Sequence, residues 1–293
     1  MTRLIFAGLL VLAPLDVLAL DRPAPTKTEV AKGIFLFQTA PYGEVGLDGN
    51  SIAIVWDDGV LVFDTNGTPA AARAVLAEIK KITDKPVRYV VNSHWHWDHW
   101  YGTQVYKEAF PAVQVIAHAA TREMMKGPAI EFNRPGVEQQ LPGYIQMLEK
   151  KAAADPGVQA RLEMARFFLE EKRSVQPVIP DVTFTSTLDL HLGSRHVQVR
   201  HEDRAVTPGD AFLVLPEEHV VISGDLIVNP IPFALSVYPT GWLKTLEAID
   251  AIDATLIVPG HGEPLRDERL LHATMDVFRI LLARGKGGKR ARR

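Results

Sequence analysis

The sequence predicts an α/β protein in which two β-sheets pack face to face and helices cover their outer faces, a four-layered αββα sandwich. Short runs rich in β-branched and aromatic residues recur between turn residues, as in GIFLFQT, NSIAIVW and GVLVFDT. The order of strands, then a helix, then a strand occurs on both sides of residues 119–175. This repetition indicates two similar halves within one domain that spans residues 20–284.

The first half is expected to open with a meander over residues 33–65. A helix should follow from Thr68, because threonine is a good N-cap and Pro69 suits the first helical position. The run VRYVV then predicts a strand that leads directly into a histidine-rich segment at residues 94–99.

Residues 119–175 differ from their surroundings, with apolar residues at helical spacing among many Glu, Lys and Gln residues. We interpret them as a helical insert, which either serves packing alone or forms a lid or wall of a substrate cleft. Strands resume in VTFTST, HVQVRH, AFLVLP and HVVISGD, followed by a helix and the buried strand TLIVPG. A last helix over 266–284 precedes a basic tail, 285–293, for which we expect disorder, with weak binding to an anionic surface as the alternative.

The N-terminal residues 1–19 have the pattern of a signal peptide. Arg3 precedes an apolar stretch that Pro14 and Asp16 interrupt, and cleavage near Ala19 is expected. The mature protein would then be periplasmic or secreted. The chain has no cysteine, which excludes disulfides and thiolate ligands, so a metal would need His, Asp or Glu.

Composition limits the classes of binding partner that we expect. The formal net charge of -3 disfavours nucleic acid as a ligand, because a phosphate backbone is held by a basic excess. No later segment approaches the roughly 20 apolar residues of a membrane span, so no integral membrane segment is expected in the mature chain. A small-molecule substrate remains the expected partner, and the oligomeric state stays open.

The segment His94-Trp95-His96-Trp97-Asp98-His99 carries the strongest chemical signal. It places three imidazoles and one carboxylate within six positions at the end of a strand. The packing of a hydrophobic core rarely calls for clustered histidines, whereas imidazole and carboxylate groups are good ligands for zinc and for iron. The segment therefore predicts a metal centre, with the interleaved tryptophans Trp95, Trp97 and Trp100 packed around it.

The pattern His94-x-His96-x-Asp98-His99 resembles the signature of the metallo-β-lactamase superfamily. Ser223-Gly224-Asp225 and Pro259-Gly260-His261 resemble two further pieces of that family, in the expected order. The resemblance implies the metallo-β-lactamase αββα fold and two neighbouring metal sites. It implies that His94 and His96 hold a first ion, that Asp98, His99 and His261 hold a second, and that Asp225 lies between them.

The resemblance also implies the chemistry of an exported zinc hydrolase. One or two zinc ions would activate a hydroxide that attacks an acyl bond, in a β-lactam, a lactone or another ester. Asp98 is the natural catalytic proton acceptor if the second ion is absent. Ribonuclease activity, known in this superfamily, is disfavoured by the expected export and the lack of a basic excess.

One position departs from the family pattern. Val206 stands where family members usually carry the third histidine of the first metal, so this site should bind its ion weakly or stay empty. The residues 201–203 (His, Glu, Asp) are not expected to substitute, because five residues of extended chain cover roughly 16 Å. Val206 also motivates an alternative, a metal-binding scaffold with weak or no turnover.

A third alternative is that His94, His96 and Asp225 form a two-histidine, one-carboxylate site for Fe(II) in an oxygen-using enzyme.

Elsewhere, the stiff apolar segment 229–233, with Tyr238 and Pro239, is a candidate wall of the substrate site. His118 is expected to have a structural role, with lining of the cleft as its alternative.

Overall fold

Two β-sheets form the centre of the structure, a computed structural model that describes residues 22–152, 154–234 and 237–290. Helices cover the outer face of each sheet, so the predicted αββα sandwich is confirmed. The expected signal peptide and residues 291–293 of the basic tail lie outside the described residues.

The first sheet has seven strands that lie side by side in chain order. They are β1 (Thr26–Ala31), β2 (Ile34–Gln38), β3 (Ser51–Trp56), β4 (Gly59–Phe63), β5 (Val87–Val91), β6 (Gln114–His118) and β7 (Val182–Phe184). Pairing is antiparallel from β1 to β4 and parallel from β4 to β7. The parallel arrangement brings the C-terminal ends of β4, β5 and β6 to one edge of the sheet.

The second sheet has five strands, in the order β12-β11-β10-β9-β8. They are β8 (Thr187–Leu192), β9 (Arg195–Arg200), β10 (Phe212–Leu215), β11 (Val220–Val228) and β12 (Leu256–His261). Only the β11–β12 pair is parallel among these neighbours. The two halves are thus alike in order, but the first carries two more strands.

Nine α-helices lie within the described residues. They are α1 (Pro69–Ile82), α2 (Trp97–Trp100), α3 (Thr103–Ala109), α4 (Ala119–Met125), α5 (Pro128–Pro135), α6 (Leu141–Ala152), α7 (Gln159–Arg173), α8 (Pro239–Asp250) and α9 (Arg269–Arg290). Thr68 caps α1 as predicted, with its side chain accepting a hydrogen bond from the backbone N–H of Ala71. The predicted helical insert corresponds to α4 through α7.

The main core lies between the sheets. Leu36 and Leu61 from the first sheet and Val199 and Leu213 from the second are fully buried in one apolar cluster. Outside the first sheet, α1 packs on β4, and outside the second, α8 and α9 pack on β10 and β11. These two outer layers fix the sheets in place, so that strand-end loops from both meet at one edge.

The C-terminal helix differs from its expected bounds. It begins at Arg269 and continues to Arg290, so that six residues assigned to the tail are helical. Leu271, Met275 and Phe278 bury one face of α9 in the cluster that contains Trp242 of α8. Once this packing has formed the first turns of the helix, each further residue that joins it gains one backbone hydrogen bond, so the helix can extend past the buried residues.

None of the helices within the described residues combines the length and apolarity that a bilayer crossing requires.

Candidate metal centre

The ends of β5 and β12, the interior of β11 and the short helix α2 position the residues that the sequence singled out. His94 and His96 lie in the turn after β5, and Asp98 and His99 lie in α2 directly behind it. Asp225 lies within β11, and His261 is the last residue of β12. The tight turn between β5 and α2 and the parallel β11–β12 pair therefore bring all of them to the same edge of the sandwich.

The residues form two groups, each with ligand atoms within 4.8 Å of one another. His94, His96 and Asp225 form the first group, and Asp98, His99 and His261 form the second. In the second group, His261 Nε2 lies 3.1 Å from Asp98 Oδ2 and 3.2 Å from His99 Nε2. The structure thus divides the six residues in the way that the family resemblance implied.

Asp225 lies between the two groups. Its Oδ2 atom is 3.6 Å from His94 Nε2, whereas its Oδ1 atom is 3.2 Å from His99 Nε2 and 3.6 Å from His261 Nε2. The two oxygens of one carboxylate therefore face different groups. This is the arrangement that a carboxylate shared by two ions would need.

The donor set fits divalent zinc or iron. The Nε2 atom of His94 is buried without a hydrogen-bond partner, and the Nε2 atoms of His99 and His261 point at each other across 3.2 Å. A buried imidazole nitrogen without a partner is costly, and a cation between such nitrogens and carboxylate oxygens would satisfy them together. The groups described here contain nitrogen and oxygen donors only, which suits both ions.

Electrostatics also favour a cation here. Burial would raise the pKa values of Asp98 and Asp225, but the histidines beside them outweigh it and hold both pKa values below the usual range. Burial lowers the pKa of His94 well below its usual value, so this imidazole is neutral and able to bind a metal. For His99, burial is outweighed by three carboxylates, which raise its pKa. A metal ion would replace the protons held at such a site.

Asp64 orients both groups from behind. It follows β4, and its Oδ2 atom lies 2.8 Å from His99 Nδ1 and 2.7 Å from Ser93 Oγ. Ser93 Oγ in turn lies 2.9 Å from His94 Nδ1. The carboxylate thus fixes one ring directly and another through a hydroxyl, so that each Nε2 faces the metal position. Asp64 adopts a left-handed conformation, with φ 57°, which aspartate tolerates better than most residues.

Two glycines allow the close approach of backbone and ligands. A Cβ atom on Gly260 would lie 2.0 Å from Asp225 Oδ1, and one on Gly49 would lie 2.4 Å from His99 Cε1. Asn50, next to Gly49, donates from Nδ2 to the carbonyls of Pro259 and Gly262 at 2.9 Å each. The chain between β2 and β3 is thereby tied to the loop that carries His261.

Val206 is buried in the apolar cluster that contains Trp242 and Leu246 of α8. The neighbouring polar residues are occupied elsewhere. His201 Nδ1 lies 2.8 Å from the carbonyl oxygen of Asp210, and its ring stacks on His118 at 3.9 Å. Glu202 pairs with Arg200, and Asp203 pairs with Lys244. Within the described residues, no further His, Asp or Glu completes the first group.

An apolar pocket of about 540 Å³ opens beside the metal groups. His96, Asp98, Asp225 and His261 line it from the metal groups. Its apolar lining comes from the turn before β3, from α2, from α5, from the end of β11 and from the segment predicted as a substrate wall: Leu47, Trp97, Phe132, Val228, Pro230, Ile231 and Phe233. The structure thus places segment 229–233 at the site. Of the three tryptophans, Trp97 lines the pocket, while Trp100 is buried and donates to the carbonyl of Trp95.

Four residues of this region were not predicted from the sequence. Ser93 directly precedes the motif and Asp64 directly follows a strand, so each carries only a weak signal. Phe132 and Lys172 belong to the helical insert, where apolar and charged residues alternate along several helices and no local pattern distinguishes these two. Only the fold shows that α5 and α7 reach the metal pocket.

Comparisons with known proteins agree with this geometry. The profile of the Metallo-beta-lactamase superfamily matches residues 45–261. A linear primary-alkylsulfatase from Pseudomonas sp. (strain ATCC 19151) is 26% identical over 242 residues, which cover 75% of this chain and 43% of the relative. The chain therefore spans less than half the length of that relative.

Solved structures show the same fold. A metallo-beta-lactamase from Pontibacter korlensis superposes with a TM-score of 0.63 at 16% identity, covering 87% of this chain and 99% of that one. A stereoselective inverting sec-alkylsulfatase from Pseudomonas sp. superposes with a TM-score of 0.66 at 19% identity. The match covers 91% of this chain and 43% of that one. With the family profile matching most of the chain and the histidine and aspartate groups assembled as described, the protein belongs to the metallo-β-lactamase superfamily.

Proposed function

We propose that this chain is an exported zinc-dependent hydrolase that cleaves an acyl bond in a small molecule, such as a β-lactam, a lactone or another ester. One observation carries the proposal: residues of both ligand groups, His96 and Asp225 of the first and Asp98 and His261 of the second, line one apolar pocket of about 540 Å³. A substrate can therefore bury its apolar part while its polar bond lies against the metal positions.

The residues of the chain have distinct parts in this reaction. A divalent ion bound here would lower the pKa of a water molecule toward neutrality and polarise the bond under attack. His94 and His96 would hold a first ion and Asp98, His99 and His261 a second, with Asp225 between the two groups. Asp98 lines the pocket with a side chain that is 14% exposed, so it can accept a proton where its metal position is empty. The apolar wall excludes water and orients the substrate.

A panel of hydrolysis assays tests the proposal. The purified, zinc-loaded protein should turn over at least one substrate among chromogenic β-lactams, lactones and para-nitrophenyl esters. A chelator should abolish turnover, and zinc should restore it. His261→Ala should lower kcat/KM by at least about 100-fold, because it removes a ligand of the second group. His191→Ala, at an exposed position of β8 outside the candidate metal groups, is the matched control and should change little. Bound metal without turnover on any substrate would favour the scaffold instead.

A second candidate is the hydrolysis of alkyl sulfate esters. The similarity to the linear primary-alkylsulfatase, over 75% of this chain, favours it, and an apolar pocket suits an alkyl group. Dodecyl sulfate and para-nitrophenyl sulfate, assayed beside para-nitrophenyl acetate, distinguish the two candidates. Release of inorganic sulfate with no ester turnover would replace the acyl proposal by this one.

Export is part of the proposal and has its own test. It rests on the pattern of residues 1–19, with Arg3 before the apolar stretch and a cleavage position near Ala19. Expression of the full chain followed by cell fractionation and N-terminal mass spectrometry should find the protein outside the cytoplasm, beginning near Leu20. A full-length chain confined to the cytoplasm would contradict export.

A further inference from the structure

A second, larger cavity adjoins the metal pocket beneath the helical insert. Its volume is about 730 Å³, and α5, α6 and α7 supply most of its lining. Trp97, Phe132 and Asn133 line both this cavity and the metal pocket, so the two are neighbours that share a wall. A ligand that passes between Trp97 and Phe132 would therefore reach from the metal pocket into the space under the insert.

Lys172, on the last turn of α7, lines this cavity and is only 8% exposed. Its Nζ atom lies 3.5 Å from the ring centre of Trp97 and 4.3 Å from that of Tyr101. It makes no hydrogen bond in the part of the chain that the structure describes. The ammonium group is therefore covered by aromatic rings, which attract a cation but do not replace hydrogen-bond acceptors for its three N–H donors, and the Lys172 side chain has to turn toward the cavity to meet a ligand.

The other charged residue at the cavity is already paired. Glu44 Oε2 accepts hydrogen bonds from Arg161 and from the hydroxyl of Tyr144. The remaining lining residues are apolar or neutral: Val45, Trp97, Phe132, Asn133, Pro135, Gly136, Val137, Gln140, Leu141, Tyr144 and Phe168. Among the lining residues of this cavity, Lys172 is thus the charged side chain without a hydrogen-bonded partner.

Such a lysine does not serve packing well. Burial lowers the pKa of Lys172 to about 7, against the opposing effect of Asp98 and Asp48. Methionine or leucine would fill the same space between Trp97 and Phe168 without this cost. A residue that breaks a packing rule at a cavity beside a metal centre is typical of a ligand site.

We propose that Lys172 is a specificity-determining residue that binds a carboxylate at the far end of the substrate. The inference rests on the proposed function: the acyl bond lies at the metal groups, the apolar part of the substrate crosses the shared wall at Trp97 and Phe132, and its terminal carboxylate pairs with Lys172. The substrate class is therefore an ester or amide whose acyl chain ends in a second acidic group.

Binding of product-like ligands tests the inference without turnover. Straight-chain dicarboxylates and ω-hydroxycarboxylates of the same length each offer one carboxylate to the metals, and only the dicarboxylate offers a second to Lys172. Calorimetry on the zinc-loaded protein should show about tenfold tighter binding of the dicarboxylate at the best-fitting length. Lys172→Met should remove this preference, and Lys172→Arg should keep most of it. Lys151→Met, an exposed change on α6, is the control and should keep it all.

Kinetics separate this inference from the proposed function. For aryl monoesters of dicarboxylic acids, Lys172→Met should raise KM about tenfold and leave kcat nearly unchanged. For the same esters with the free carboxyl group methylated, the substitution should change KM little. Equal binding of the two ligand types by the native protein, or a preference retained by Lys172→Met, would overturn the inference even if esters are hydrolysed. A preference that depends on Lys172 in a protein that hydrolyses nothing would support the anion site and contradict the hydrolase.

Discussion

Asp64 holds His99 in place: its Oδ2 atom lies 2.8 Å from Nδ1 of the imidazole, which leaves Nε2 to face the second metal group. The same carboxylate reaches His94 through Ser93. One buried side chain thus orients a ligand of each group. Its partners stand behind the rings rather than at the metal positions, so it affects the site through geometry and basicity.

Asp64→Asn tests this role. Asparagine tolerates the left-handed backbone at this position but is a weaker acceptor for the histidine N–H. We expect metal affinity to fall about 10- to 100-fold, as measured by competition with a chromogenic chelator. The far-ultraviolet circular dichroism spectrum should stay the same. Unchanged metal affinity in a folded variant would show that Asp64 does not position the ligands.

Val206→His tests the weakness of the first site. If Val206 occupies the position of the missing ligand, a histidine there should raise the metal content of the chain toward two ions. Val206→Leu is the control, because it keeps an apolar side chain in the cluster with Trp242 and should bring no gain. No gain in metal from the histidine would mean that this position does not face the first group.

Phe233→Ala tests the apolar wall. The Phe233 side chain lines the metal pocket and is 58% exposed, so its removal should not unfold the protein. We expect KM for substrates with a large apolar group to rise about fivefold, because part of the buried apolar area is lost. Val277→Ala on α9, at 54% exposure, is the matched control. Equal KM values in both variants would exclude this loop from the substrate site.

Lys172→Met should stabilise the protein in a pH-dependent manner. The pKa of the lysine falls from 10.5, its value in an unfolded chain, to about 7 in the fold, so below pH 7 both states carry the proton and the folded state bears the full burial cost. Between pH 7 and 10.5 the lysine keeps its proton in the unfolded chain but not in the folded one, so the stability of the native protein rises with pH. The gain from methionine should thus be largest near pH 6, on the order of 2–4 kcal/mol, and should shrink toward about pH 10.

Urea unfolding of the zinc-loaded proteins at about pH 6 and about pH 9 measures this difference. Lys151→Met should show no such dependence, because Lys151 is exposed. A Lys172→Met variant that is less stable than the native protein at the lower pH would indicate that the lysine has a structural role.

The sequence predicted the fold well, and the residues that it proposed as metal ligands lie together in the structure. Local periodicity of apolar residues predicted the strands and helices. The residues from His94 to His99 are neighbours in the chain, so a tight turn is enough to bring their side chains together. Asp225 and His261 were placed through resemblance to a family, since nothing local to either residue indicates its partner. The structure brings them within 3.6 Å of each other.

The remaining features depend on long-range packing. Asp64 is 35 residues from His99, and its role appears only when the ends of β4 and β5 lie side by side. Lys172 is one of many charged residues on the insert helices, and its burial against Trp97 depends on how α7 packs across α2. Neither placement follows from periodicity or composition.

Metal content of the purified protein tests the central claim most directly. After equal exposure to zinc and iron, mass spectrometry of the desalted protein should find between one and two ions per chain, mostly zinc. A variant that combines His94→Ala with His261→Ala should lose them. Protein that binds no metal above the level of this variant would contradict the account, and iron as the dominant metal with consumption of oxygen would replace hydrolysis by oxygen chemistry.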